Sequence, residues 1–144
     1  MKEGKILAID YGQKSIGLAV SDQNRVMAFG RGKIVNKDKD KVLAALADLV
    51  VLEKIVEIIV GLPMGKSGEE TPQTTIIRKF AGQLKSYLQE RKMTVTIGFL
   101  DESFSSFEAN KMLAELGVKS QDRKKTEDEM AAIILIHRYI DFRP

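Results

Sequence analysis

The stretch KILAIDYGQKSIGLAV, residues 5–20, carries the pattern from which the fold can be predicted. A short apolar run ends on Asp10, and a second apolar segment, residues 15–21, follows a turn that contains Gly12. Two short apolar segments joined by a glycine-containing turn are typical of a β-hairpin. A carboxylate at the end of a buried strand is costly to dehydrate, so another part of the chain must compensate Asp10.

The bulk composition predicts one globular domain over residues 1–144. Hydrophobic residues make up 44% of the chain and charged residues 30%, which argues against long disordered segments. There is no cysteine, so disulfide scaffolds, zinc ribbons and cysteine nucleophiles are excluded. No signal-peptide pattern and no apolar run of membrane-spanning length occur, and we expect a cytoplasmic protein without a membrane partner. The net charge of +3 is compatible with a polyanionic partner but does not establish one.

Strands and helices are predicted to alternate after the hairpin. The predicted elements are a strand at 26–35, a helix from residue 40, a strand at 56–60, a helix from 72 to about 91, a strand at 93–100, a helix at 105–116 and a last helix from 126. Gly30 and Gly32 weaken the first of these strands and suggest a sheet edge or a bulge. This order predicts an α/β fold, a mixed sheet with helices on both faces.

Acidic residues follow two of the predicted strands. Asp10 ends the first strand, Asp101 and Glu102 end the fifth, and Asp128 lies in the predicted first turn of the last helix. The helix dipole alone would explain Asp128. Three carboxylates brought together, however, repel one another unless a cation lies between them, and oxygen ligands favour Mg²⁺ or Mn²⁺. The acids therefore predict a metal site of the kind that two-metal nucleases use.

Basic and hydroxyl residues near these acids are candidates for nucleic-acid binding. The segment Arg123-Lys124-Lys125 lies in a predicted connector before Asp128; a charge run is commonly plain surface, but beside the acids phosphate binding is favoured. Lys14, in the hairpin turn, could equally contact a phosphate or be an ordinary turn lysine. Ser105 and Ser106 are further candidates, although helix capping alone explains one of them.

Four segments resemble, in this order and over nearly the whole chain, a bacterial family. AIDYGQKSIGLAVSD, IIVGLP, DESFSSFEANKMLAELG and RKKTEDEMAAIILIHRYID are similar to motifs of the YqgF family, also called RuvX. This family of the RNase H-like superfamily is associated with Holliday junction resolution and with maturation of the precursor of 16S ribosomal RNA. The resemblance implies an RNase H-like five-stranded sheet of order 3-2-1-4-5, with strand 2 antiparallel to the others.

The resemblance also implies a catalytic, metal-binding acid triad. Asp10 matches the acid that closes the first strand, Glu102 the glutamate of an Asp-Glu-Arg motif, and Asp128 the aspartate three residues before an Ala-Ala pair. Two positions depart from the family: Ser103 replaces the usual arginine, and Ser15 replaces a basic residue that many members carry. Because serine cannot hold a phosphate bidentately, these departures concern substrate positioning more than metal binding.

Two classes of function are consistent with the sequence. The leading hypothesis is a nuclease dependent on Mg²⁺ or Mn²⁺ that acts on pre-16S rRNA or branched DNA, as a monomer or homodimer, with ribosomal particles as further partners. The alternative is a non-catalytic nucleic-acid- or ribosome-associated factor, in which Ser103 marks the loss of catalysis. A phosphate loop like that of sugar kinases is disfavoured, because 144 residues do not contain the second domain that closes over ATP. Fold and site analogy do not choose between RNA and DNA.

Overall fold

The structure, a computed structural model, describes residues 3–102, 115 and 120–141. Its elements are β1 (Lys5–Tyr11), β2 (Ser15–Ser21), β3 (Ala28–Val35), α1 (Lys39–Glu53), β4 (Ile55–Leu62), α2 (Pro72–Glu90), β5 (Thr96–Asp101) and α3 (Ser120–Asp141). The strands form a five-stranded sheet of order β3-β2-β1-β4-β5. β2 is antiparallel to β1 and β3, whereas β1, β4 and β5 are parallel. The predicted fold class, strand order and antiparallel second strand are confirmed.

β1 is the central strand because its side chains are covered on both faces. Leu7 and Ile9 pack into the core formed with α1 and α2, and Ile6 and Ala8 pack into the core formed with α3. Successive side chains of a strand point to opposite faces, so a strand covered on both faces requires a continuous apolar run. All four residues are fully buried. Asp10 therefore follows directly on the most deeply buried part of the sheet.

β3 is an edge strand with a bulge, as its glycines predicted. Ala19 of β2 pairs with Gly30, but Gly17 pairs with Lys33, so β3 contains one extra residue between these two pairs. Gly32 lies in this bulge with φ of 72°, a left-handed conformation that glycine adopts without steric cost. The bulge decides which residues after Gly32 share a face with Gly17.

Several strand boundaries differ from the prediction for local reasons. β3 begins at Ala28 because the Asp22 carboxylate accepts hydrogen bonds from the N–H groups of Val26 and Met27 and holds them in a turn. β5 begins at Thr96 because Met93 still donates to the Leu88 carbonyl at the end of α2. The predicted helix at 105–116 lies outside the described residues. None of the helices in the described ranges has the length and hydropathy of a membrane span.

The prediction for the last helix was wrong at its start. α3 begins at Ser120, so Thr126 is not its cap and the Arg123-Lys124-Lys125 segment is helical rather than a connector. Lys, Arg, Gln and Glu are favourable helix residues, and no glycine or proline interrupts them before the apolar face begins. Asp128 consequently lies about two turns inside α3. The dipole effect acts within the first turn and no longer explains this acid.

The far end of α3 is fixed by buried polar contacts. The Tyr139 hydroxyl donates a hydrogen bond to the carboxylate of Glu57, near the start of β4. Arg25 lies 2.8 Å from the other oxygen of Glu57 and also donates to the Gly4 carbonyl at 2.7 Å. Loss of one partner of an ion pair that is removed from water in this way leaves an uncompensated buried charge and strongly destabilises the folded protein. These contacts set the direction in which α3 crosses the sheet.

Candidate functional site

The parallel strands β1, β4 and β5 bring Asp10 and Glu102 to the same end of the sheet. Glu102 directly follows β5, and its N–H donates to the Leu62 carbonyl of β4 at 3.0 Å. Gly61 lies in β4, between β1 and β5, and a Cβ at this position would come within 2.8 Å of Glu102 Oε2. The absence of a side chain at Gly61 therefore lets the Glu102 carboxyl lie over β4 and reach Asp10.

The two carboxyl groups interact directly. Burial, followed by the hydrogen bond to Asp10 and the negative charge of Asp10, raises the pKa of Glu102 to about 9. The positive charge of Arg138, on α3, acts in the opposite direction. Glu102 consequently keeps its proton at neutral pH and shares it with Asp10. Both groups can ionise together only if a cation is placed between them.

Asp128 approaches the site because α3 packs directly on the backbone of β2. Gly17 pairs with Asp10 across the hairpin, and a Cβ at Gly17 would overlap the carbonyl group of Asp128. The Ser15 hydroxyl donates a hydrogen bond of 2.5 Å to Asp128 Oδ2. Glycine thus allows the close approach of the helix, and serine orients the carboxylate. The structure places Asp128 over the strand residue that neighbours Asp10.

The next residue of α3 is held by the edge strand. Glu129 Oε2 accepts a hydrogen bond of 2.5 Å from the N–H of Gly32, in the β3 bulge. A side chain at Gly30 would overlap the Glu129 carboxyl group, so this position also requires glycine. Asp128 and Glu129 therefore attach one turn of α3 to β2 and β3 respectively.

The basic candidates are placed only in part. Lys14 is exposed in the hairpin turn, and its carbonyl accepts a hydrogen bond of 2.9 Å from the N–H of Asn36. The Arg123-Lys124-Lys125 segment lies on α3 about one turn before Asp128, whereas the sequence predicted a connector for this segment. Ser103, Ser105 and Ser106 lie outside the described residues.

The pair Asp10–Glu102 has the donor chemistry that Mg²⁺ and Mn²⁺ require. Within residues 3–102, 115 and 120–141, no group of three or more His, Asp or Glu side chains is close enough to hold an ion as arranged. The two contacting carboxyl groups nevertheless supply hard oxygen ligands, and a cation could replace the proton between them. The Asp128 carboxylate, oriented by Ser15, would be the third ligand.

Sequence reasoning missed three residues that shape this site: Ser15, Glu129 and Arg138. Ser15 was considered only as a departure from the family, whereas the structure gives it a contact with Asp128. Arg138 acts on Glu102 only because α3 crosses the sheet toward β4 and β5, which no local pattern indicates. Glu129 could have been suspected from its position beside Asp128, but its partner is a backbone N–H of a bulge.

The sheet order, the antiparallel second strand and the acids at the strand ends define an RNase H-like domain. The chain matches the family described as "RuvX: Holliday junction resolvase" over residues 4–142, and it belongs to this family. A protein of Maridesulfovibrio salexigens named "Putative pre-16S rRNA nuclease" is 35% identical over 136 residues, covering 94% of this chain and 97% of the relative. A relative of the same name from Koribacter versatilis is 35% identical over 140 residues, covering 97% and 88%.

Solved structures show the same fold at low sequence identity. Thermus thermophilus RuvC superposes with a TM-score of 0.61 at 15% identity and covers 95% of each chain. The Fowlpox virus resolvase, in complex with Holliday junction DNA, has a TM-score of 0.56 at 14% identity and covers 95% of this chain and 97% of the resolvase. At these identities the similarity establishes the fold alone.

Proposed function

We propose that this protein is a divalent-metal-dependent nuclease that hydrolyses phosphodiester bonds, with the precursor of 16S rRNA as its substrate. One observation carries the proposal. The Asp10 and Glu102 carboxyls are in contact at the carboxyl ends of the parallel strands β1 and β5, where the pKa of Glu102 rises to about 9. A strand end of this kind is where open α/β sheets bind ligands, and a cation is what would allow both acids to ionise.

Each residue of the site has a defined task in this proposal. Asp10, Glu102 and Asp128 would hold Mg²⁺ or Mn²⁺, and the bound ions would stabilise the negative charge that develops during phosphodiester hydrolysis. Ser15 orients Asp128 through its hydrogen bond. Arg138 offsets part of the negative charge beside Glu102.

We choose RNA as the proposed substrate because the relatives with the higher sequence identity carry the name of an RNA nuclease. The relatives with 35% identity over nearly their whole length carry the pre-16S rRNA nuclease name. The Thermus thermophilus RuvC and Fowlpox virus resolvase structures are 14–16% identical to this chain, and they share the fold rather than a demonstrated specificity. Branched DNA is the second candidate, because the family description names Holliday junctions.

The proposal is tested by comparing a pre-16S rRNA fragment and a four-way DNA junction as substrates, side by side, with Mg²⁺, Mn²⁺ or EDTA. We expect metal-dependent cleavage of the RNA by the wild type and none by Asp10→Asn. Asp48→Asn is the matched control, because Asp48 is exposed on α1 and the charge change is identical. Cleavage by purified Asp10→Asn at the wild-type rate would contradict the proposed site.

A calorimetric metal titration separates this function from the non-catalytic alternative. A nuclease of the proposed type binds Mn²⁺ in the absence of nucleic acid, and Asp10→Asn abolishes that binding. Binding of RNA together with no measurable affinity for Mn²⁺ or Mg²⁺ would instead identify a ribosome- or nucleic-acid-associated factor that retains the fold.

A further inference from the structure

Asp10, Gly17 and Lys33 form one row across three neighbouring strands. Asp10 pairs with Gly17 between β1 and β2, and Gly17 pairs with Lys33 between β2 and β3. Directly paired residues present their side chains on the same face of a sheet. Neighbouring strands are about 4.8 Å apart, so the backbones of Asp10 and Lys33 are separated by about 10 Å. Lys33 therefore lies on the α3 face, two strands away from the proposed metal site.

Lys33 is exposed and has no ion-pair partner among the residues whose side chains the structure describes. A lysine on an edge strand has a simple alternative use, which is to prevent pairing with the edge of another molecule. That use would not require Lys33 to occupy the row of Asp10. It also does not account for the other lysines at this end of the sheet.

Two further lysines lie near the same strand ends. Asn36 follows β3; its N–H donates to the Lys14 carbonyl at 2.9 Å, and its side-chain amide donates to the Gly12 carbonyl at 2.8 Å. This contact joins the hairpin turn to the β3–α1 link, so Lys14 and the exposed Lys37 lie close together. The hairpin turn, β3 and the β3–α1 link thus each contribute one exposed lysine.

The opposite side of the site has a different charge. The loop between β4 and α2, residues 63–71, contains Lys66 and the acids Glu69 and Glu70. Glu70 pairs with Arg78, and the Glu69 carboxylate accepts a hydrogen bond from the N–H of Ser67 within the loop. Among the described residues, Lys14 and residues 33–41 carry five lysines and two acids, Asp38 and Asp40, whereas the two basic and two acidic side chains Lys66, Arg78, Glu69 and Glu70 balance on the β5 side. A polyanion that approaches Asp10 therefore meets more positive charge from the described residues on the β3 side.

We infer that Lys14, Lys33 and Lys37 form a track for the phosphate backbone, which leads the nucleic-acid strand from Asp10 across β2 to the edge strand β3. This inference rests on the proposed nuclease function and adds the direction in which the substrate leaves the site. The contacts are with phosphates, so the track binds RNA and DNA without reading sequence. Its contribution to affinity arises from counterion release and falls with increasing salt.

Equilibrium binding tests the track without catalysis. A labelled RNA hairpin and a labelled four-way DNA junction are titrated in EDTA with protein carrying Asp10→Asn, over a series of salt concentrations. We expect the added pair Lys33→Gln and Lys37→Gln to weaken binding several-fold and to reduce the salt slope by about 1 for each lysine. The matched control is Lys79→Gln with Lys85→Gln, two exposed lysines of α2 whose loss changes the net charge equally.

Crosslinking locates the strand directly. The chain contains no cysteine, so Lys33→Cys and Lys85→Cys each provide a unique thiol for attachment of a photo-crosslinker. We expect the probe at position 33 to crosslink to the bound RNA and the probe at position 85 to crosslink much less.

The outcomes distinguish this inference from the proposed function. If the Lys33/Lys37 pair and the control pair bind equally, with equal salt slopes, the track is wrong while the nuclease proposal stands. Equal crosslinking at positions 33 and 85 would have the same meaning. If the protein with Asp10→Asn alone binds neither probe at any salt concentration, both the track and the proposed function are overturned.

Discussion

The Ser15 hydroxyl donates a 2.5 Å hydrogen bond to Asp128 Oδ2 and thereby joins β2 to α3 next to Asp10. The two residues are 113 positions apart in the chain. The resemblance to the family implies a basic residue at this position in many members, whereas in this chain Ser15 orients a carboxylate of the candidate metal site. The residue therefore has a clear structural role that differs from the phosphate contact expected of an arginine.

Removing the Ser15 hydroxyl should weaken metal binding. We expect Ser15→Ala to raise the Kd for Mn²⁺ about 10-fold, because groups that orient metal ligands typically contribute 10- to 100-fold to affinity. Ser15→Thr keeps the hydroxyl and should restore most of the affinity. Calorimetry measures the Kd, and Ser86→Ala, on the exposed surface of α2, is the control. Equal Kd values for Ser15→Ala and Ser86→Ala would show that the hydrogen bond does not position Asp128.

Metal binding should stabilise the folded protein. At a Mn²⁺ concentration 100 times the Kd, linkage predicts a gain of about 2.7 kcal/mol in the free energy of unfolding, and hence a higher Tm. Asp10→Asn should remove most of this gain, whereas Asp48→Asn should retain it. Thermal unfolding with Mn²⁺ and with EDTA gives the comparison. A metal-dependent rise in Tm that survives in Asp10→Asn would place the ion elsewhere.

The stability of the metal-free protein should fall as the pH rises. The pKa of Glu102 is about 9 in the folded protein, compared with an ordinary value of 4.5. Between these values the folded state binds more protons than the unfolded state, so the free energy of unfolding decreases with increasing pH. The Glu102→Gln protein has no titratable group at position 102. Its free energy of unfolding, relative to that of the wild type, should therefore rise as the pH increases between these two pKa values.

Denaturant unfolding in EDTA between about pH 5 and pH 9 measures this difference at the two ends of the linkage window. Glu90→Gln, at the exposed end of α2, controls for the loss of one negative charge. A stability difference between Glu102→Gln and the wild type that does not change with pH would show that Glu102 is not held in its protonated form.

A methyl group at position 17 should displace α3. The Cβ of alanine would overlap the Asp128 carbonyl, and overpacking of this kind typically costs about 1–3 kcal/mol. Gly17→Ala should therefore lower stability and weaken Mn²⁺ binding together. Gly82→Ala is the control, because no atom lies within 4 Å of its Cβ position and alanine is the better helix residue. Normal Mn²⁺ affinity in a folded Gly17→Ala protein would show that metal binding does not depend on the position of α3.

The sheet and two of the acids could be predicted because their signals are local. A continuous apolar run identifies β1 as a strand covered on both faces. Asp10 lies at the C-terminal end of β1, and Glu102 directly follows β5. Parallel strands then bring such ends together whatever the details of packing. The predicted location of Asp128, in the first turn of the last helix, was wrong because the helix continues through the basic segment before it.

The remaining parts of the site depend on contacts between residues far apart in the sequence, which local sequence patterns do not predict. The contact of Ser15 with Asp128 and the effect of Arg138 on Glu102 both require the crossing direction of α3. That direction is fixed by glycines of β2 and β3 and by the buried contacts of Tyr139 and Arg25 with Glu57. A glycine in a strand indicates close approach of something, but it does not say which helix turn approaches.

The extra residue in β3 determines the chemistry of the outer surface of this enzyme-like site. If the same sequence paired without the bulge, the pairing of Ala19 with Gly30 would continue to Gly17 with Gly32, and Lys33 would project from the opposite face of the sheet. Ile34, which now packs against the core formed with α1 and α2, would move to the α3 face at the same time. The bulge thus decides which face of the sheet receives the cation and which receives the apolar side chain. The register of an edge strand, as well as its residue types, can therefore decide whether a protein of this fold presents charge on the face of its acids.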